Sequence, residues 1–224
     1  KGIIMKFNFK IQQYQTDAVD AVINVFNGQG FHDKTNYIRD LGNKNQTDAQ
    51  MTINTPDEEF DVINDIGYKN ELVELSDEQL LQNIHTLQSQ NNIKLSPSLV
   101  KDLGRCSLDI EMETGTGKTY VYIKTMFELN KKYGWSKFIV VVPSIAIREG
   151  VKKSFEVTTD HFMEHYGKKA RFFIYNSSNL NQLDNFSSNS GINVMIINTQ
   201  AFATSLKEGG RSKESRIIYS KRDE

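Results

Sequence analysis

The chain has 224 residues, with 27 Lys and Arg against 28 Asp and Glu and a formal net charge of −1; this suits one large domain, or a domain with an insertion, and excludes a uniformly basic nucleic-acid-coating protein. Its single cysteine, Cys106, excludes a disulfide framework and points to a reducing compartment. No apolar run reaches the ~18–20 residues of a membrane span, and the stretch Lys1 to Met5 lacks the apolar core of a signal peptide.

From the N-terminus, Lys6 to Ile11 alternates and predicts a short strand or an extended lead-in. Ala18, Val19, Ala21, Val22, Val25 and Phe26 then recur at helical spacing from Thr16, and Gly28 and Gly30 stop that helix. Residues 31–75 carry more acid than base and show a weak apolar period, which reads as a loop-rich insertion with room for two short strands. Ser76-Asp-Glu-Gln79 is a capping box. It opens a helix through about Ser89 with Leu80, Leu81, Ile84 and Leu87 as its stripe. Ser96-Pro97 predicts another short helix carrying Leu99, Val100 and Leu103.

From Leu108 onward the pattern is α/β. Ser107 to Glu111 predicts a strand and Tyr120 to Leu129 a helix. Between them lies Met112-Glu-Thr-Gly-Thr-Gly-Lys-Thr119, the context of a phosphate-binding loop. Gly115 and Gly117 let the backbone curl so that N–H groups point inward, and the new helix adds its positive end. In this motif Thr114 to Gly117 cradle phosphates, Lys118 reaches the β- and γ-phosphates, and the Thr119 hydroxyl holds Mg²⁺. A nucleoside triphosphate is therefore the expected ligand. Glu113 would face phosphates unfavourably unless turned outward, so it receives no role.

Phe138 to Pro143 is a continuous apolar run, as for a parallel strand covered on both faces. A helix from Ile145 to about His165, a strand from Arg171 to Tyr175, an Asn/Ser-rich loop from Asn176 to Ser190 and a buried strand from Ile192 to Ile197 follow. Ala201 to Leu206 starts a helix, and Lys207 to Arg211 reads as a mobile loop. The alternation implies a mostly parallel, doubly wound sheet. The chain divides into residues 1–30 (lead-in and first helix), 31–106 (acidic insertion with helices) and 107–224 (phosphate-loop core).

Other residues have plainer readings beside functional ones. Ser144 after a strand can cap the next helix. Arg148, Lys152 and Lys153 form a phosphate-binding face or a solvated one, and the solvated face is the commoner case. His161 and His165 have chelating spacing, but the zinc-protease order is absent. Cys106 reads as a small core residue, and Tyr120 and Tyr122 as packing residues.

Ile11-Gln-Gln-Tyr-Gln15, Met112 to Thr119, Val142-Pro-Ser144 and Asn198-Thr-Gln200 fall in an order that resembles the first motor domain of superfamily 2 helicases and DNA translocases, a RecA-like P-loop NTPase fold. The wider wording of Asp109 to Tyr122 and Lys137 to Gly150 is similar to the restriction subunit of type III restriction–modification enzymes. The resemblance implies ATP and Mg²⁺ as cofactors, with Tyr14 and Gln15 as adenine readers and Lys118 and Thr119 as catalytic residues. It implies Pro143, Ser144 and Thr199 as contacts to the DNA sugar-phosphate backbone, with Arg148 beside them. Implied partners are double-stranded DNA and a modification (methyltransferase) subunit, in a prokaryotic cytoplasm with no membrane association.

Three departures from the family pattern matter. Met112 stands where a strict loop has Gly, and helicase-type loops often have Ala. Gln12 stands where relatives often have Arg. No strand ends in the Asp-Glu pair that holds Mg²⁺ and orients water, since Asp223-Glu224 follow no apolar strand. The expectation is therefore an N-terminal piece of a longer protein that binds nucleotide weakly and hydrolyses little alone. Rival readings are a repair helicase or translocase without a nuclease, a small-molecule kinase, and a non-catalytic interaction module working through residues 31–106.

Overall fold

The structure, a computed structural model, describes residues 9–39, 66–102, 104–176 and 181–199. Residues 9–12 are a lead-in without strand pairing, and helix α1 spans Gln13–Val25. The helix starts ahead of Thr16, so Tyr14 and Gln15 lie in its first turn. Val19 and Ile23, one turn apart, bury against α3 (Lys118–Tyr133) together with Val121, Tyr133 and Trp135. The Tyr133 hydroxyl donates to the Ile23 carbonyl at 2.8 Å, and burial pushes that phenol up to about 12.

Two short strands form within residues 31–75, β1 (Asn36–Ile38) and β2 (Ile66–Tyr68), paired antiparallel. Asn70, just beyond β2, ties them to the main sheet. Its side-chain oxygen accepts from the Ser136 and Lys137 amides at 2.7 and 2.8 Å, and its amide donates to the Lys137 carbonyl at 2.7 Å. One side chain thus satisfies the backbone groups of Ser136 and Lys137. Helix α2, Asp77–Gln90, carries the expected capping box, with Ser76 and Gln79 bonded reciprocally at 2.8 and 3.2 Å. Leu80 is its one buried apolar residue, and Ile84 and Leu87 pack partly beside it.

The helix expected from Ser96 does not form. Ser96 is instead pinned to α2: its amide donates to Gln88 Oε1 at 2.9 Å, its hydroxyl accepts from Gln88 Nε2 at 2.8 Å, and its carbonyl lies 2.7 Å from His85 Nε2. Side-chain bonds outbid a helical turn there.

The core sheet is parallel, in the order β3–β5–β4, built from β3 (Lys137–Val142), β4 (Arg171–Ile174) and β5 (Asn193–Asn198). Helix α4, Ile145–Tyr166, crosses from β3 to β4. One face of the sheet, with Val142, Val194 and Ile196, packs on Ile123, Met126 and Phe127 of α3 and on Val151, Phe155 and Phe162 of α4. Stacked rings extend that core, with Phe127 4.8 Å from Phe162 and 5.1 Å from Tyr166 between centroids. The opposite face carries Phe173, Met195 and Ile197, covered by Leu183 and Phe186 of α5 (Asn181–Ser188).

Three further expectations are corrected here. Helix α5 lies inside the stretch read as an Asn/Ser-rich loop, because two apolar side chains suffice to anchor two turns on the sheet. β3 is not covered on both faces: Ile139 and Val141 stay 52% and 44% exposed beside the region that α5 covers. Ser107 to Glu111 forms no strand: among the described residues no strand lies against it to complete a ladder, and of its amides only that of Ser107 has a backbone partner there, the Val100 carbonyl at 2.7 Å. The segments expected to be helix and loop from Ala201 to Arg211, and Asp223-Glu224, lie outside the described residues, as do residues 1–8, Leu103 and Gln200.

Candidate functional site

Residues 114–117 form a tight turn in which Gly115 and Gly117 have φ of 84° and 88°, conformations that a Cβ disfavours. Gly117 caps α3, so the free N–H groups of its first turn face the turn's open side. A Cβ on Gly115 would meet nothing within 4 Å, so this side of the turn is open. Lys118 is exposed and makes no ion pair or hydrogen bond among the described residues. Thr119 is half-buried one residue further along the helix. Beneath it the Tyr122 phenol is pushed up by burial, with Thr119 as its polar neighbour and no well-formed hydrogen bond of its own. An open turn, a helix N-terminus, an unpaired ammonium and a hydroxyl at the next position stand together here, an arrangement that suits an anion. No group of three His, Cys, Asp or Glu that could hold a metal occurs among the described residues, and the His161–His165 pair does not form one.

Residues more than a hundred positions upstream meet this turn. Gln15 Nε2 donates to the Thr116 carbonyl at 2.9 Å, and the Tyr14 hydroxyl donates to the same oxygen at 3.2 Å. Thr16 Oγ1 accepts from Lys124 Nζ at 3.1 Å, fixing α1 along α3. The sequence places Tyr14 and Gln15 near a nucleotide only by resemblance, whereas the fold puts both against the turn.

The remaining candidates gather at the carboxyl end of the sheet. Val142 and Asn198 are paired in register, so Pro143-Ser144 and Thr199, each just beyond, emerge side by side and exposed. Ser144 is also the N-cap of α4, its hydroxyl accepting from the Ile147 amide at 3.3 Å. Arg148, in the first turn of α4, pairs with Glu149 at 3.0 Å while its Nε is buried without a partner. Lys153 pairs with Glu156 at 3.2 Å, the solvated-face arrangement. Helix α3 meets β3 through a short turn at Gly134, with Asn130 Nδ2 bonded to the Trp135 carbonyl at 3.0 Å. The helix therefore doubles back along the strand, and the glycine turn lies toward the sheet's carboxyl end, where open α/β sheets bind ligands.

A feature the sequence reading passed over is the contact behind the turn. The Tyr120 hydroxyl lies 2.9 Å from His161 Nε2, with the Phe9 ring 5.1 Å from His161 and 6.0 Å from Tyr120 between centroids. His161 is buried, and burial, then His165, lowers its pKa from 6.5, with Glu164 opposing. The folded chain thus prefers the neutral ring. Its stabilising share is present above pH ~6.5 and is lost as pH falls through the lowered folded value. Replacing His161 with Phe should flatten the acid limb of urea-unfolding stability measured from pH 8 to 5. An unchanged limb would remove His161 as its source.

A glycine turn leading into a helix that packs on a parallel sheet makes this an α/β protein. The chain matches the family described as "Type III restriction enzyme, res subunit" over residues 8–219, and it belongs to that family. It is 38% identical over 113 residues to the EcoP15I Res subunit of Escherichia coli, covering 48% of this chain and 11% of that protein. It is 30% identical over 166 residues to the EcoPI Res subunit of Escherichia phage P1, covering 73% and 14%. To the StyLTI Res subunit of Salmonella typhimurium it is 42% identical over 83 residues, covering 36% and 8%. The aligned segments thus span between 8% and 14% of these relatives' lengths. No helix among the described residues is long and apolar enough to cross a membrane.

Proposed function

We propose that this chain is the ATP-binding, RecA-like N-terminal motor domain of an ATP-dependent type III restriction endonuclease, one that moves or switches state on double-stranded DNA with a modification subunit in the cytoplasm. The observation that carries the reading is the open glycine turn at the start of α3 with Lys118 unpaired beside it. The N–H groups of Gly115, Thr116 and Gly117 would cradle the phosphates, and Lys118 would stabilise charge on the transferring phosphoryl group. Thr119 would give its hydroxyl to Mg²⁺, whose role when bound is to neutralise phosphate charge. Gln15 would offer its amide to the N6 and N7 edge of adenine. Pro143, Ser144, Thr199 and Arg148, sharing the sheet's carboxyl end, would touch sugar-phosphate, as a motor indifferent to sequence requires.

The family membership supports this over a small-molecule kinase, and it weakens the reading as a non-catalytic module. A helicase without a nuclease has no observation in its favour. The test is a titration of the chain with Mg-ATP, with GTP as competitor. Saturable binding that prefers ATP supports the full reading. Binding without base preference removes the adenine role of Gln15, and no binding removes the nucleotide reading of this chain.

A further inference from the structure

Thr116 is the junction of three local constraints, two of them on its carbonyl. That carbonyl accepts from Gln15 Nε2 at 2.9 Å and from the Tyr14 hydroxyl at 3.2 Å. The Thr116 hydroxyl donates to the Glu113 carbonyl at 2.6 Å, closing the turn on itself. A Cβ at Gly117 would lie 2.6 Å from Gln15 Nε2, so α1 sits directly behind the loop, whereas Gly115 on the other side faces open space. The peptide bond is planar and trans, so the C=O of Thr116 and the N–H of Gly117 point in opposite directions. Drawing the carbonyl toward α1 therefore aims the Gly117 N–H at the open side.

We propose that Tyr14 and Gln15 are positioning residues of the glycine turn: by holding the Thr116 carbonyl they set the direction of the N–H groups that receive phosphate, whatever base the nucleotide carries. The proposal rests on the nucleotide reading for its consequence, but not for its geometry. Gln15 has a single amide nitrogen in this contact. Were a base edge to draw that amide away, the Tyr14 hydroxyl would be the donor left on Thr116. Tyr14 is 48% exposed, and Tyr14→Phe keeps the ring while removing only the donor, so the variant keeps its packing.

The experiment uses the whole 224-residue chain and two readouts. In the first, amide hydrogen exchange without nucleotide is compared for the unaltered chain, Tyr14→Phe, Gln15→Ala and the double variant. Loss of one hydrogen bond is expected to raise exchange of the Thr116 amide, which the Glu113 carbonyl holds at 3.4 Å, by about three- to tenfold, with the α4 core unchanged. In the second, affinity is measured for Mg-tripolyphosphate, which has no base, and for Mg-ATP; Tyr14→Phe should weaken both by a similar factor. Unchanged loop exchange in the double variant would overturn the proposal, as would a loss confined to Mg-ATP. If the unaltered chain binds neither polyphosphate, the nucleotide reading fails, and the exchange comparison decides the positioning role by itself.

Discussion

Replacing Lys118 with Ala should cost the chain roughly 10–150-fold in Mg-ATP affinity while leaving its thermal unfolding unchanged. The magnitude is that of a hydrogen bond to a charged group, about 1.5–3 kcal/mol. The absence of a stability effect follows from the environment: the side chain is exposed and touches no charged or hydrogen-bonding group among the described residues. Lys118 would therefore gain its partner only when phosphate arrives. Isothermal titration of both proteins checks the first half and calorimetric melting the second. Equal affinities would show that the open turn is only a helix cap, and a lowered melting temperature would show that Lys118 is a structural residue.

The largest stability loss should come from Gly134→Ala, at the far end of the same helix. Gly134 sits at φ 81°, and a Cβ there would lie 2.0 Å from the His32 backbone oxygen. Backbone cannot rotate aside as a side chain does, and the His32 amide is itself bonded to the Tyr133 carbonyl at 3.3 Å. The left-handed conformation costs about 1–2 kcal/mol for an L residue, and forced overpacking adds roughly 1–3. Together they consume much of the ~5–15 kcal/mol that keeps a domain folded. Gly167→Ala is the natural control. It has φ 64° and nothing within 4 Å of its Cβ, so the conformational cost alone applies. Urea unfolding of the two variants should differ by the overpacking contribution; equal losses would mean that residues 31–33 do not pack against the end of α3.

How far the sequence reached depends on whether a feature is local. The glycine turn, the capping box at Ser76 and the helix from Ile145 are written in consecutive residues, and each forms where the pattern puts it. Ser144 was readable as a cap, and it is one. What the pattern could not give is partnership across the chain. Ser107 to Glu111 has a strand's composition, yet a strand exists only through its neighbour. Leu183 and Phe186 were hidden among polar residues, and only the fold reveals that they cover Met195 and Ile197 of β5. The two bonds from Tyr14 and Gln15 to Thr116 join residues about a hundred positions apart, and no spacing rule predicts them.

β3 has one further consequence. Among the described residues it pairs with β5 alone; on its other side Asn70 meets the backbone groups of Lys137 at its start, and further along Ile139 and Val141 stand half in water. Open edges are normally blunted by charge, proline or a bulge. Here Lys137 could supply charge, but its ammonium is drawn inward over Phe186, 5.5 Å from the ring centroid, and burial lowers its pKa to about 8. Its charge therefore does little to guard the part of the edge beside Ile139 and Val141. As concentration rises, strand addition between copies of the isolated chain becomes a route to aggregation.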